Sequence, residues 1–168
     1  MQREIKEKND PRPHDPLWEV LMLSQVQSSM VPIAGFDEGS AYVVVVFPKL
    51  LNHVEDMLRN KMPVAFHHDT TFNVGKFLTT ILSFKHPFLE GRPVIPIGIM
   101  FHQSKTEETH TRFMQVMAKR VPHLNSKTAV FVTDRESAIR NSIESALPNA
   151  FRACCHKHLS DVRFKTQF

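Results

Sequence analysis

Long apolar runs are missing from this chain. The longest uninterrupted one, Ala41 to Phe47, is far short of the roughly 20 residues that a membrane-spanning helix needs, so no membrane is expected among its partners. The N-terminus opens Met1-Gln2-Arg3-Glu4-Ile5-Lys6-Glu7-Lys8 and shows no apolar h-region of a secretory signal. Cysteine is scarce, and the only two, Cys154 and Cys155, are neighbours. Such a pair cannot staple a secreted scaffold and points to a reducing compartment or to ligand chemistry. The five glycines, Gly35, Gly39, Gly75, Gly91 and Gly98, form no G-x-G or G-K-S/T pattern, which excludes the usual phosphate-cradling loops. A G-x-S-x-G elbow is also absent, so serine hydrolase chemistry has no support. Trp18 and Tyr42 are each the only residue of their kind, and most phenylalanines fall on core faces, which disfavours a stacking platform for single strands. No basic cluster of five to eight residues marks nuclear import.

What is present is an ordinary globular composition, 42% apolar and 23% charged over 168 residues, enough for one domain or two. Lysine and arginine number 21 against 17 acidic residues, a surplus of +4. That balance is compatible with a polyanionic partner without requiring one.

Three segments follow from the patterning. Residues 1–16 carry charges that nearly cancel, then Pro11, Pro13 and Pro16, and read as a flexible arm. Residues 17–62 form an N-terminal segment preceding the core. It holds a loose helical pattern over Leu17–Met30, a β-branched strand over Tyr42–Phe47 closed by Pro48, and helical spacing from Leu50 to Asn60. Residues 63–168 form the core. Val64 to Phe72 reads as a strand, Asn73-Val74-Gly75 as a turn, and Phe77–Phe84 as a second strand. Val94–Phe101 is a third strand, placed by Pro96 at a sheet edge. Thr106–Arg120 is helical, with acids in its first turn and bases in its last, as the helix dipole favours. Thr128–Thr133 is a strand ending on Asp134, Glu136–Leu147 a helix stopped by Pro148, Phe151–Cys155 a fifth strand, and a helix begins near His156. Short turns make the first three strands antiparallel, and helical crossovers make the last two parallel to the first. The fold class is α/β: a mixed five-stranded sheet flanked by helices.

Asp69 and Asp134 are the informative carboxylates. Each follows an apolar strand, and ligands of open α/β sheets bind beyond the carboxyl ends of strands. If the two strands are parallel neighbours, the carboxylates converge and call for a divalent cation. Two such ions roughly 4 Å apart could activate a nucleophile and stabilise the leaving oxygen of a phosphodiester. The competing reading makes Asp69 a turn residue and Asp134 a helix N-cap. Strand alternation puts His67 on the side of Asp69 and His68 on the opposite face. His86 and His102 are scattered. Cys155-x2-His158 offers two ligands on one turn, but without a second pair it does not complete a zinc site.

The order of elements, together with Asp69-Thr-Thr-Phe-Asn-Val-Gly-Lys-Phe, Thr133-Asp134-Arg-Glu-Ser-Ala-Ile and Leu147-Pro148-Asn-Ala-Phe-Arg-Ala-Cys-Cys-His-Lys-His158-Leu159, resembles the transposase domain of Mutator-like elements over about Pro63 to Leu159. The resemblance implies an RNase H-like core and a DDE-type DNA transposase acting in the nucleus. Such an enzyme cleaves phosphodiesters and transfers strands with a pair of Mg²⁺ (or Mn²⁺) ions. Asp69 and Asp134 fall on the catalytic, metal-ligating positions, and Cys155 and His158 on the C-x2-H pair that shapes the site. The family's third acid, usually a Glu, lies beyond a helical insertion downstream. Here Asp161 is the only later carboxylate and comes too early, so it is expected on a solvent-facing helix. The core is therefore expected to be incomplete at its C-terminus, a truncated or inactive fragment. The alternative is a co-opted, non-catalytic nucleic-acid- or protein-binding module on the same fold. A sheet left partly uncovered would favour self-association.

Overall fold

The computed structural model describes residues 31–37, 40–74, 77–134 and 136–154. Two strands, β1 (Val31–Asp37) and β2 (Ser40–Val46), pair as an antiparallel hairpin. Pro48 has no N–H to donate to a ladder and its fixed φ suits a first helical turn, so the strand gives way to helix α1 (Pro48–Arg59). Leu51, Val54, Met57 and Leu58 recur at helical spacing and form the buried stripe of α1. Strands β3 (Val64–Val74), β4 (Phe77–Lys85) and β5 (Val94–His102) follow as an antiparallel run. Helix α2 (Glu107–Arg120) is capped by Thr106, whose side chain accepts the Thr109 N–H at 3.3 Å. A 3₁₀ turn (Pro122–Asn125), β6 (Ala129–Thr133), α3 (Ser137–Ala146) and β7 (Phe151–Cys154) complete the described chain.

The strands form one mixed sheet in the order β1-β2-β5-β4-β3-β6-β7. β6 is parallel to β3 and β7 to β6. The five expected core strands have their expected directions, but the sheet is wider than five: β2 pairs with β5, so the hairpin β1–β2 continues it to seven strands.

That extension corrects the edge placement of the strand bearing Pro96, since β5 lies between β2 and β4. The proline is tolerated because pairing with β2 covers only Gly98 to His102. Pro96 lies beyond that overlap, so its missing N–H breaks no bond to β2, and a register shift at Leu82/Ser83 falls beside it. The turn expected at Asn73-Val74-Gly75 is also corrected: β3 runs through Val74. The segment 1–16 and the helices expected over Leu17–Met30 and from His156 lie outside the described residues.

One face of the sheet carries the core. Val64, Phe66 and His68 of β3 are buried, while Ala65 and His67 between them are half-buried and Asp69 is exposed, the period-2 alternation of a strand with one packed face. Phe66 sits beside its register partner Phe131, ring centroids 5.2 Å apart. Leu82, Phe84, Ile97 and Met100 join them, and the apolar stripes of all three helices pack into the same cluster. Gly98 allows α2 its close approach: a Cβ there would meet Met117 Sδ at 2.7 Å.

Candidate functional site

The parallel pairing of β3 with β6 decides where the two carboxylates stand. From Val64–Ala129 to His67–Val132, each β6 residue carries a number 65 higher than its β3 partner. Asp134 stands 65 above Asp69 as well. The pairing itself ends at His67–Val132, and Asp134 follows the last residue of β6, Thr133; the shared offset brings the two acids toward the same end of the β3–β6 pair. The sequence puts Asp69 at the carboxyl end of its strand; instead it lies inside β3 and pairs with Ile81 of β4. What ends beside it is β6, at Thr133. An extra residue then breaks the β3–β4 register between Thr70 and Phe72. Bulges of this kind re-aim side chains and are common beside functional sites.

Asp69 is exposed and Asp134 half-buried. Asp134 is not the N-cap of α3; that position belongs to Glu136. Its Oδ1 accepts the Glu136 N–H at 2.9 Å, an Asx-type turn that steadies the approach to the helix. The Glu136 side chain is in turn paired with Lys105 at 2.8 Å.

Beneath the acids, on the packed face, lies a cluster of three imidazoles that the sequence reading did not assemble. His68 (β3), His102 (β5) and His110 (α2) are all buried. The ring of His110 lies 5.4 Å from that of His68 and 5.7 Å from that of His102. Burial, then the nearby His110 and His102, pushes His68 down to about 3. Burial, then His102 and Lys105, brings His110 down to about 4, with Asp134 opposing. The ring nitrogens of His68 and His110 have no hydrogen-bond partner. His102 is fully engaged: Nδ1 is 2.7 Å from the Ser104 carbonyl and Nε2 is 2.7 Å from Thr80 Oγ1. A signal for the cluster existed, since His68 continues the buried parity of Val64 and Phe66, and His110 falls three residues before Phe113 on the apolar stripe of α2.

His67 and His86 lie outside this cluster. His67 is half-buried on the side of Asp69, and its pKa is lowered by burial and by Lys85. His86 Nδ1 accepts the N–H groups of Phe88 and Leu89 at 3.2 and 3.1 Å, ordering the β4–β5 loop. Cys155 and His158 lie outside the described residues.

Carboxylate oxygens are the hard donors that Mg²⁺ and Mn²⁺ prefer, and such ions are commonly held by one or two carboxylates, with water and substrate phosphates filling the other positions. Asp69 and Asp134 fit that donor set. Among the described residues no group of three or more His, Cys, Asp or Glu is gathered for a metal ion. No helix among them is long and apolar enough to cross a membrane.

Comparison with known proteins yields one family. The model of the MULE transposase domain matches residues 65–161, more than half of the chain and inclusive of both carboxylates and the C-x2-H pair. No curated protein matches the chain.

Proposed function

The chain belongs to the MULE transposase domain family, and from that premise we propose that it is a catalytic core for DNA transposition in which Asp69 and Asp134 hold divalent cations. The observation that supports this reading is the 65-residue offset of the parallel β3–β6 register, which Asp69 and Asp134 share and which brings both acids toward the same end of that strand pair. Neighbouring carboxylates repel unless a cation lies between them. A Mg²⁺ or Mn²⁺ pair there would supply Lewis acidity toward a phosphodiester and activate water or a 3′-hydroxyl. The chain's own contribution is to orient the acids. β3 carries Asp69, β6 leads into Asp134, and one oxygen of Asp134 accepts the Glu136 N–H; the role assigned to the C-x2-H pair, Cys155 and His158, is to shape the site. The partner is DNA, the place of action the nucleus, and copies of the chain associate with one another.

Thermal melting with and without Mn²⁺ tests the metal reading. The unsubstituted chain should melt higher with Mn²⁺, by the equivalent of about 2.7 kcal/mol at one hundred times the dissociation constant. Asp69→Asn and Asp134→Asn should each remove that rise. An equal rise in both variants would defeat the assignment.

A non-catalytic DNA- or protein-binding module is the second reading. It is favoured by the absence, among the described residues, of a third side chain gathered with the two acids. It predicts salt-sensitive DNA affinity that survives both substitutions. DNA affinity independent of salt would count against both readings.

A further inference from the structure

A hydrogen-bond chain, buried at its centre, crosses three strands directly behind Asp69. Thr70 Oγ1 lies 2.7 Å from Thr80 Oγ1, Thr80 Oγ1 2.7 Å from His102 Nε2, and His102 Nδ1 2.7 Å from the Ser104 carbonyl oxygen. Thr80 and His102 are fully buried. Burial also favours the neutral ring of His102. The direction of every bond then follows from one acceptor. The Ser104 carbonyl can only accept, so Nδ1 carries the imidazole proton and donates. Nε2 is therefore bare and accepts from the Thr80 hydroxyl. That uses Thr80's only proton, so Thr80 accepts from Thr70. Each hydroxyl proton has one acceptor and each ring nitrogen one partner, a satisfied network that specifies a single arrangement of the strands it joins.

Its position gives it a consequence for the site. Thr70 and Thr80 are the last register pair of β3 and β4 before the bulge, and Asp69–Ile81 is the pair before that. A bulge is where a ladder loosens, so the backbone bearing Asp69 is held there by Thr70 on one side and by buried His68 on the other. Both neighbours are anchored on the packed face while Asp69 itself is exposed.

We propose that the chain Thr70–Thr80–His102–Ser104 fixes the β3 bulge and thereby the position of the Asp69 carboxylate, which makes Thr80 and His102 positioning residues for the candidate metal site. The bulge part of the proposal stands on the hydrogen bonds alone; its effect on metal binding rests on the proposed function.

The test uses the 168-residue chain with two readouts, amide hydrogen exchange of Asp69 to Phe72 and Mn²⁺ affinity by calorimetry. Thr80→Val keeps the volume, removes the hydroxyl from the middle of the chain, and leaves His102 Nε2 and Thr70 Oγ1 without their partner. Exchange at those amides should quicken at least tenfold, and Mn²⁺ affinity should fall about tenfold, the lower end of what loss of an outer-shell partner costs a metal site. Thr80→Ser restores the hydroxyl and should lie within twofold of the unsubstituted chain on both readouts, which a merely space-filling role would not predict. If Thr80→Val does not fold, Thr70→Val removes only the terminal link, leaves the Thr80–His102 bond intact, and should show the same two effects. Exchange unchanged in the folded variant overturns the proposal. Absence of Mn²⁺ binding in the unsubstituted chain would overturn the metal reading instead, and the exchange readout would still decide the role of the network.

Discussion

Acid should unfold this domain through His68 and His110. Both rings are buried and held neutral, His68 at about 3 and His110 at about 4, whereas in the unfolded chain each titrates near its ordinary value of about 6.5. The folded state therefore binds fewer protons than the unfolded one, and stability is lost as pH falls below about 6.5, until the folded groups themselves begin to protonate. At pH 5 an unfolded imidazole is favoured as imidazolium by about 30 to 1, which is about 2 kcal/mol per histidine. That figure depends on the unfolded value and is insensitive to the folded one so long as it lies well below 5. Together the two remove about 4 kcal/mol, a large share of the roughly 5–15 kcal/mol by which domains are stable. Urea unfolding in EDTA buffer, repeated from pH 8 to pH 4.5, measures this. Below pH 6 the pair should contribute a slope of about 2.7 kcal/mol per pH unit, and His68→Leu should remove about half of it. His68→Leu should also match or exceed the original stability at pH 7, because it removes two buried nitrogens that have no partner. Equal slopes in the original chain and a His68→Leu/His110→Leu double variant would refute the argument.

Other perturbations probe the packing that carries the site. Phe131→Ala empties the space beside Phe66 and should cost about 3–5 kcal/mol, read as a drop in the urea midpoint without a change in m. Gly98→Ala places a methyl against Met117 Sδ and should cost about 1–3 kcal/mol, with part of the loss recovered when Met117→Ala is added. Thr106→Ala removes the cap of α2 and should cost about 1 kcal/mol in melting experiments, leaving Mn²⁺ binding unchanged.

Much of the fold was legible because its causes are local. The apolar stripe Phe113, Met117, Val121 marks α2, Thr106 its start, and Pro48 the switch from strand to helix. The spacing of the carboxylates from their strands identified Asp69 and Asp134. What stayed hidden depends on contacts between distant segments. Pro96 reads as an edge signal because a proline withholds a donor. Only the short overlap of β2 with β5 reveals that the strand is interior and its proline lies past that overlap. The imidazole cluster joins three elements, and each histidine alone looks like an isolated surface or core residue.

By itself, then, the sequence determined most of the strands and helices, though not β1, and which faces are apolar, since side-chain period and turn chemistry act over a few residues. It also singled out Asp69 and Asp134 and carried the motifs of their family, although Asp69 lies inside β3 and not after it. The tertiary structure alone decided that the strands leading to the two acids are parallel neighbours, that a hairpin widens the sheet to seven strands, and that a chain of hydroxyl and imidazole groups lies behind Asp69. Register is a property of hydrogen bonds between strands some 65 residues apart, and no local pattern records which of the alternative pairings the closed core will select.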